Sequence, residues 1–285
     1  MNQLTVKSPA KVNLYLKVRC KRPDGFHDII TLFERVNLCD DMTFRSRQDG
    51  KIRILCSHPQ VPKGPKNLVY KVARVLRNDF SIKEGVEIYI KKRIPVAAGL
   101  AGGSSNAATA LLALSKLWKL NISHKKLFSY ASQIGSDVAF FLYQSSWALG
   151  TERGDKIKKI NINNKLWHIL VVPKIKLLAG KVYGGLKLKL TNKKDDVSIL
   201  IRNLRKNDMS AVGPLLVNDL EDVVLAMCPQ LLRLKQKMRS LGAYGVMVSG
   251  SGPCVYGLTR TKAAAQKIRQ ILVKNYAQVF VVETL

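Results

Sequence analysis

Acidic residues are scarce in this chain. Only 19 of its 285 residues are Asp or Glu, against 48 Lys and Arg, which leaves a formal net charge of +29. So few acids give no strong acidic metal motif, and no protein ligand for a metal is assigned. The five cysteines, Cys20, Cys39, Cys56, Cys228 and Cys254, are odd in number, far apart and without Cys-x-x-Cys spacing. That pattern excludes a disulfide framework and a zinc ribbon, and it fits a reducing compartment. The four histidines are isolated, with no His-Glu-x-x-His. No apolar run is long enough to span a membrane. Charged residues interrupt the N-terminal apolar ones from Lys7 onward, so no signal peptide is expected and the reading is cytoplasmic. Aromatics make up only 7% of the residues and do not interleave with the basic clusters, so a single-strand nucleic-acid surface is not indicated. The excess charge favours capture of anionic substrates and weak nonspecific binding of nucleic acid. A solvated basic surface is the simpler account of it.

What is present is a long apolar fraction, 47% of residues, and a stretch built from small ones. That stretch is Pro95-Val96-Ala97-Ala98-Gly99-Leu100-Ala101-Gly102-Gly103-Ser104-Ser105-Asn106. A strand is expected before it at 86–90, and a helix after it at 106–117. Ser104 and Ser105 are suitable N-caps for that helix. Glycines before a helix N-terminus let a ligand approach the backbone where N–H groups are unpaired and the dipole is positive, an arrangement that binds phosphate. An ordinary loop-to-helix junction would explain any single Gly-Gly-Ser. Three glycines, two hydroxyls and the strand–loop–helix context favour phosphate. The loop is neither a P-loop, which needs Gly-Lys-Ser/Thr, nor a Gly-x-Gly-x-x-Gly fingerprint.

Along the chain, 4–18 alternates as two short strands or one strand bent at Ser8-Pro9. Lys11 and Asn13 share one face of it, which either meets solvent or lines a cleft. Pro23-Asp24-Gly25 is a turn, followed by Phe26 and His27, which either anchor that loop or stack on a base. Strands are expected at 29–38, 41–47, 52–56, 146–149, 167–172, 246–248, 254–258 and 279–282. Helices are expected at 67–78, 123–134, 199–204, 212–216, 229–241 and 262–274. Residues 191–196 read as a polar loop. Asp137 precedes an apolar run, either as a helix cap or as a buried base. The element order favours an α+β fold.

Three stretches together resemble the GHMP kinase superfamily. They are Ser8-Pro9-Ala10-Lys11-Val12-Asn13-Leu14, the loop from Pro95 through Ser104, and Ser249-Gly250-Ser251-Gly252-Pro253. Within it, Arg22-Pro23-Asp24-Gly25-Phe26-His27, Gly135-Ser136-Asp137-Val138 and Asn218-Asp219-Leu220-Glu221 look like the 4-diphosphocytidyl-2-C-methyl-D-erythritol kinase family. The resemblance implies a two-lobed α+β GHMP kinase fold with the active site in the cleft between the lobes. Residues 1–160 would form the lobe with the nucleotide loop, and 161–285 a lobe contributing to substrate binding. It implies ATP as co-substrate with Mg²⁺, and phosphorylation of the acceptor's 2-hydroxyl in the non-mevalonate route to isoprenoids. Asp137 matches the family's catalytic base and Lys11 its catalytic lysine. Asn13 and His27 match positions at the cytidine end, and Phe26 an aromatic that stacks on cytosine, where Tyr is usual. Asn67 matches a segment near adenine, and Lys92 a lysine beside the nucleotide. Ala179-Gly180 stands where many members carry Ser or Thr. A homoserine- or mevalonate-type kinase, or a basic nucleic-acid binder, is the alternative. Monomer and homodimer stay open.

Overall fold

The computed structural model describes residues 3–187 and 197–285. The polar loop expected at 191–196 lies outside them. The strands are β1 (Gln3–Lys21), β2 (His27–Arg47), β3 (Ile52–Cys56), β4 (Gly85–Lys91), β5 (Trp147–Thr151), β6 (Lys156–Lys159), β7 (Trp167–Val171), β8 (Val217–Asn218), β9 (Tyr244–Val248), β10 (Val255–Thr259) and β11 (Val279–Glu283). The helices are α1 (Leu68–Asp79), α2 (Gly102–Leu117), α3 (His124–Ile134), α4 (Val138–Leu142), α5 (Ala179–Gly184), α6 (Val197–Lys206), α7 (Met209–Val212), α8 (Glu221–Met227), α9 (Gln230–Ser240) and α10 (Lys262–Leu272). Among the described residues, no helix is long and apolar enough to cross a membrane.

Two compact units are interleaved along the sequence. The first comprises Met1–Ala10, Leu38–Val96 and Ala101–Ser145, and the second Lys11–Asn37, Ala97–Leu100 and Ser146–Leu285. In the first, the strand order is β3-β4-β2-β1. Inward and outward residues alternate here. Met42 faces Ile90 and Phe44 faces Ile88 across the antiparallel β2–β4 pair, and all four are buried. Cross-strand apolar pairs of this kind fix the register, because a one-residue slip would expose every one of them. The apolar stripe of α1 (Val69, Val72, Ala73, Leu76) is buried, and α1 packs against α2. α2 is apolar nearly all round, as a core helix is.

The second unit holds an antiparallel sheet in the order β11-β7-β10-β9. Leu231, Leu234 and Met238 of α9 and Ile268 and Leu272 of α10 join Ile169, Val171, Val246 and Val248 of that sheet in one cluster. β8 adds to β1 in parallel at Tyr15 and Leu16.

Three expectations need correction. Of the two readings of 4–18 the single strand is found, and β1 runs on through Ser8-Pro9. In the first unit β1 is the outer strand, where a proline is tolerated. β2 is likewise one strand rather than two. Residues 212–216 are the end of α7 and a short 3₁₀ turn, Gly213–Leu215, not a helix of their own. α2 starts at Gly102, four residues before the expected helix. Its N-cap is therefore Ala101, and Ser104 and Ser105 lie inside the first turn. Glycine's low helix propensity hid this start, which backbone geometry imposes instead.

Candidate active site

The loop departs from ordinary backbone at three positions. Ala97 has φ 55°, Gly99 78° and Ala101 52°. A non-glycine residue in the left-handed region costs about 1–2 kcal/mol, so Ala97 and Ala101 hold strain that the surrounding structure must offset. The offset is visible for residues 97–100, which belong to the second unit. Ala98 and Leu100 are buried. The Ala98 carbonyl accepts from Cys254 N at 3.2 Å, and the Leu100 carbonyl accepts from Lys11 N at 3.2 Å. Ser249 Oγ donates to the Gly99 carbonyl at 3.0 Å. A Cβ on Gly99 would lie 2.1 Å from the Ser249 carbonyl oxygen, so only glycine fits. Gly103 differs: a Cβ there would meet nothing within 4 Å. Neither its φ nor packing requires glycine, and its backbone at the start of α2 stays uncovered. Pro95 is buried, while Val96 is exposed at the loop's entry. Ser105 is buried, its hydroxyl 2.8 Å from that of Ser8.

Also in the second unit, the shared face of Lys11 and Asn13 turns out to be buried rather than solvated. Lys11 Nζ donates to Asn13 Oδ1 at 2.5 Å and lies 5.6 Å from the centre of the Phe33 ring. Asn13 Nδ2 donates to Thr31 Oγ1 at 2.7 Å, and that hydroxyl donates to the Tyr15 carbonyl at 2.8 Å. Tyr256 Oη donates to the Asn13 carbonyl at 3.0 Å. Burial pushes that phenol well above its ordinary pKa, so it stays a donor. The glycine turn 249–253 comes close to both: a Cβ on Gly250 would lie 3.2 Å from Asn13 Oδ1 and 3.5 Å from Lys11 Nζ. Asn218 staples that turn, with Nδ2 donating to the carbonyls of Val248 at 2.9 Å and Gly250 at 2.8 Å. Asp219 Oδ2 accepts from Val18 N, and Glu221 pairs with Lys235. The acidic motif 218–221 thus ties down the strand bearing Lys11 and the glycine turn beside it.

The first unit holds a second polar cluster. Lys92 pairs with the fully buried Asp40 and donates to Asn106 Oδ1 at 3.3 Å. Asn106 Nδ2 donates to Asp40 Oδ2 and to Ser8 Oγ, each at 2.9 Å. Asn67 caps α1, with Oδ1 accepting from Val69 N at 2.8 Å and Nδ2 donating to the Pro62 carbonyl at 2.6 Å. Sequence reading missed Asp40 and Thr31. A lone Asp and a lone Thr on long strands carry no motif. Alternation would have flagged Asp40 only as an acid on the same face as buried apolar residues such as Met42.

Asp137 stands at the N-cap position of α4 in helical conformation and makes no side-chain capping bond. The cap reading therefore does not account for it. It belongs to the first unit, and Lys11 to the second. Phe26 is half exposed, with the Arg153 guanidinium 5.1 Å from its ring centre. Its neighbour His27 stacks on Tyr183 of α5, with ring centres 5.1 Å apart and planes at 28°. Partial burial, and then the charge of Lys21, hold the His27 pKa below its ordinary value. At neutral pH its ring is uncharged. Ala179 and Gly180 open α5, whose N-cap Leu178 offers no side-chain bond.

Comparison with known proteins bears on this arrangement. Residues 67–145 match the GHMP kinases N terminal domain, and residues 200–278 match GHMP kinases C terminal. A 4-diphosphocytidyl-2-C-methyl-D-erythritol kinase of Exiguobacterium sibiricum is 42% identical over 282 residues, 99% of this chain and 98% of that one. The chain belongs to the 4-diphosphocytidyl-2-C-methyl-D-erythritol kinase family of GHMP kinases. The Shouchella clausii kinase of that name is also 42% identical, over 93% of this chain and 88% of its own. A crystal structure of 4-(cytidine 5'-diphospho)-2C-methyl-D-erythritol kinase superposes with a TM-score of 0.85 at 30% identity over 98% of both chains. A homoserine kinase from Cytophaga hutchinsonii superposes at 0.76 with 20% identity, which shows the shared fold alone. The fold is the two-lobed α+β GHMP kinase fold, and the chain is a kinase of that class.

Proposed function

We propose that this kinase transfers the γ-phosphoryl group of ATP to the 2-hydroxyl of 4-diphosphocytidyl-2-C-methyl-D-erythritol, in the non-mevalonate route to isoprenoid precursors. One observation carries the choice of acceptor. A relative named for that substrate matches 99% of the chain at 42% identity.

In this reading, loop residues 95–105 hold the phosphates. The first N–H groups of α2 have no partner within the helix and point at an anion. Asn67 and Lys92 serve the nucleotide from the same unit. Asp137 accepts the acceptor's hydroxyl proton as its oxygen bonds to the γ-phosphorus, while the bond to the β,γ-bridging oxygen breaks and ADP leaves. Lys11, oriented by Asn13, offers positive charge to the transferring group, which spreads negative charge over its oxygens. Asn13, Phe26 and His27 receive the cytidine end, and Tyr183 and Arg153 extend that aromatic surface. Residues 1–160 supply the nucleotide loop, and 161–285 contribute to acceptor binding.

Mg²⁺ bound with ATP supplies charge neutralisation on the phosphates. Such an ion keeps several waters and needs only one or two carboxylates. Asp137 would offer it one such carboxylate.

The test is a substrate panel with ATP. Phosphorylation of the cytidyl acceptor but not of homoserine or mevalonate is expected. Transfer to homoserine or mevalonate alone sinks the reading. Asp137→Asn should lower kcat by about 10²–10⁴-fold while an ATP analogue still binds. A near-normal rate would remove Asp137 from the base role.

A further inference from the structure

Asp40 has no role in the chemistry above, yet its carboxylate takes four donors. It is fully buried, on the inward face of β2, while its neighbour Asp41 points outward to Arg93 at 2.8 Å. Oδ1 accepts from two successive backbone N–H groups, Arg93 at 2.7 Å and Ile94 at 2.9 Å. Oδ2 takes the Lys92 ammonium and, at 2.9 Å, the Asn106 amide. Four donors fill the four lone-pair sites of a carboxylate.

These donors sit on either side of the phosphate loop. Residues 92–94 lead into it, and Asn106 lies in the α2 turn that leaves it. One carboxylate therefore fastens the loop's entry to its exit. It also fixes the Lys92 ammonium, which lies 3.1 Å from where a Cβ on Gly102 would stand. That places a positive charge beneath the first residue of α2. A helix N-terminus already carries positive partial charge, so an ammonium there is unfavourable while no anion is bound. A buried counter-charge removes the conflict.

We propose that Asp40 is a positioning residue for the nucleotide. It keeps Lys92 under the start of α2 and holds both ends of the loop in place before ATP arrives. The carboxylate stands in for the anion, so the charged site exists preassembled. Ser8 joins the same network through Asn106 and Ser105.

The proposal rests on the nucleotide reading of the loop, and its test separates the two. Calorimetric titration with a non-hydrolysable ATP analogue needs no acceptor. If the unaltered kinase does not bind the analogue, the nucleotide reading falls and the proposal with it. If it binds, Asp40→Asn decides the proposal. The variant places an amide donor opposite Lys92 and Asn106, both donors. Its dissociation constant for the analogue should rise at least tenfold, while the KM for the cytidyl acceptor stays within twofold. A nucleotide affinity within twofold of the unaltered enzyme overturns the proposal, as does an equal loss toward both substrates.

Where Asp40→Asn alone does not fold, the double variant Asp40→Asn/Lys92→Met removes both buried charges together. Its melting temperature should recover toward that of the unaltered kinase, with nucleotide binding still at least tenfold weaker. A folded double variant with unaltered nucleotide affinity overturns the proposal.

Discussion

Two lysine side chains are buried, that of Lys11 in one unit and that of Lys92 in the other, and they are held in different ways. Lys92 faces a carboxylate, Asp40, which cancels its charge. Lys11 donates to the amide oxygen of Asn13 and lies over the face of Phe33, groups that orient the ammonium. The difference teaches what each lysine is for. The carboxylate holds Lys92 under the start of α2, whereas Lys11 is set on a strand face beside the glycine turn 249–253. Substituting each lysine by methionine separates the two. Lys11→Met should lower kcat by about 10²–10³-fold, the usual loss for one preorganised donor to a developing charge. Lys92→Met should act first on stability, because it leaves the Asp40 carboxylate buried without its partner, a cost of about 3–5 kcal/mol. Steady-state kinetics and thermal melts on both variants make the comparison. Equal melting temperatures, or a larger kcat loss at Lys92, would break it.

The glycines of the loop carry the same contrast at smaller scale. Gly99 is required by the fold: its φ is 78°, and a Cβ would collide with the Ser249 carbonyl at 2.1 Å. Gly99→Ala should therefore cost about 1–2 kcal/mol for the backbone and about 1–3 kcal/mol for overpacking. Gly103 is open on the side where a Cβ would stand. Gly103→Ala should leave stability unchanged, or raise it by about 0.5–1 kcal/mol through helix propensity. The methyl group would instead crowd whatever approaches the N–H groups of α2, so the KM for ATP should rise. Denaturant melts and ATP titrations read the two effects apart. If Gly103→Ala loses stability and keeps its nucleotide affinity, the open position is not a ligand surface.

How much of this was legible in the sequence follows from what each feature depends on. The loop, the Lys11–Asn13 face and the turn before Phe26 are local patterns, and local patterns show in a single sequence. Strands were expected at 41–47 and 86–90, and there Met42, Phe44, Ile88 and Ile90 are buried. The start of α2 was misread because Gly102 and Gly103 carry poor helix propensity, and tertiary contacts override it. β6 was missed because Lys156-Ile157-Lys158-Lys159 reads as a basic run, and only pairing with β5 makes it a strand. Asp40, Thr31 and Tyr183 were missed for another reason. Their meaning lies in partners 15 or more residues away: Lys92, Asn106, Tyr15 and His27. No spacing rule encodes such meetings. Asp137 shows the converse: local pattern favoured a helix cap, yet its side chain makes no capping bond.

The acceptor side offers the smallest test. The side chains of Lys92 and Lys11 are buried, whereas Phe26 is half exposed and His27 partly covered. A group this open should answer to pH where the buried network does not. Burial and then Lys21 depress the His27 pKa, so the fold favours the neutral ring. The sign follows directly. Above the unfolded value of about 6.5 the ring is neutral in both states, and its contribution is fully present. As pH falls below 6.5 the unfolded chain takes up the proton first, and the contribution is lost once pH passes the folded midpoint. Protonation would also add positive charge beside Lys21 and alter the hydrogen bonds His27 offers to the cytidine end. A proton NMR titration should place the His27 midpoint below 6.5, and Lys21→Ala should move it upward by removing a like charge. The KM for the acceptor should change through that midpoint, while the KM for ATP stays flat. A midpoint above 6.5, or parallel changes in both Michaelis constants, would place His27 outside the acceptor site and leave the two sides of the kinase less distinct than their lysines suggest.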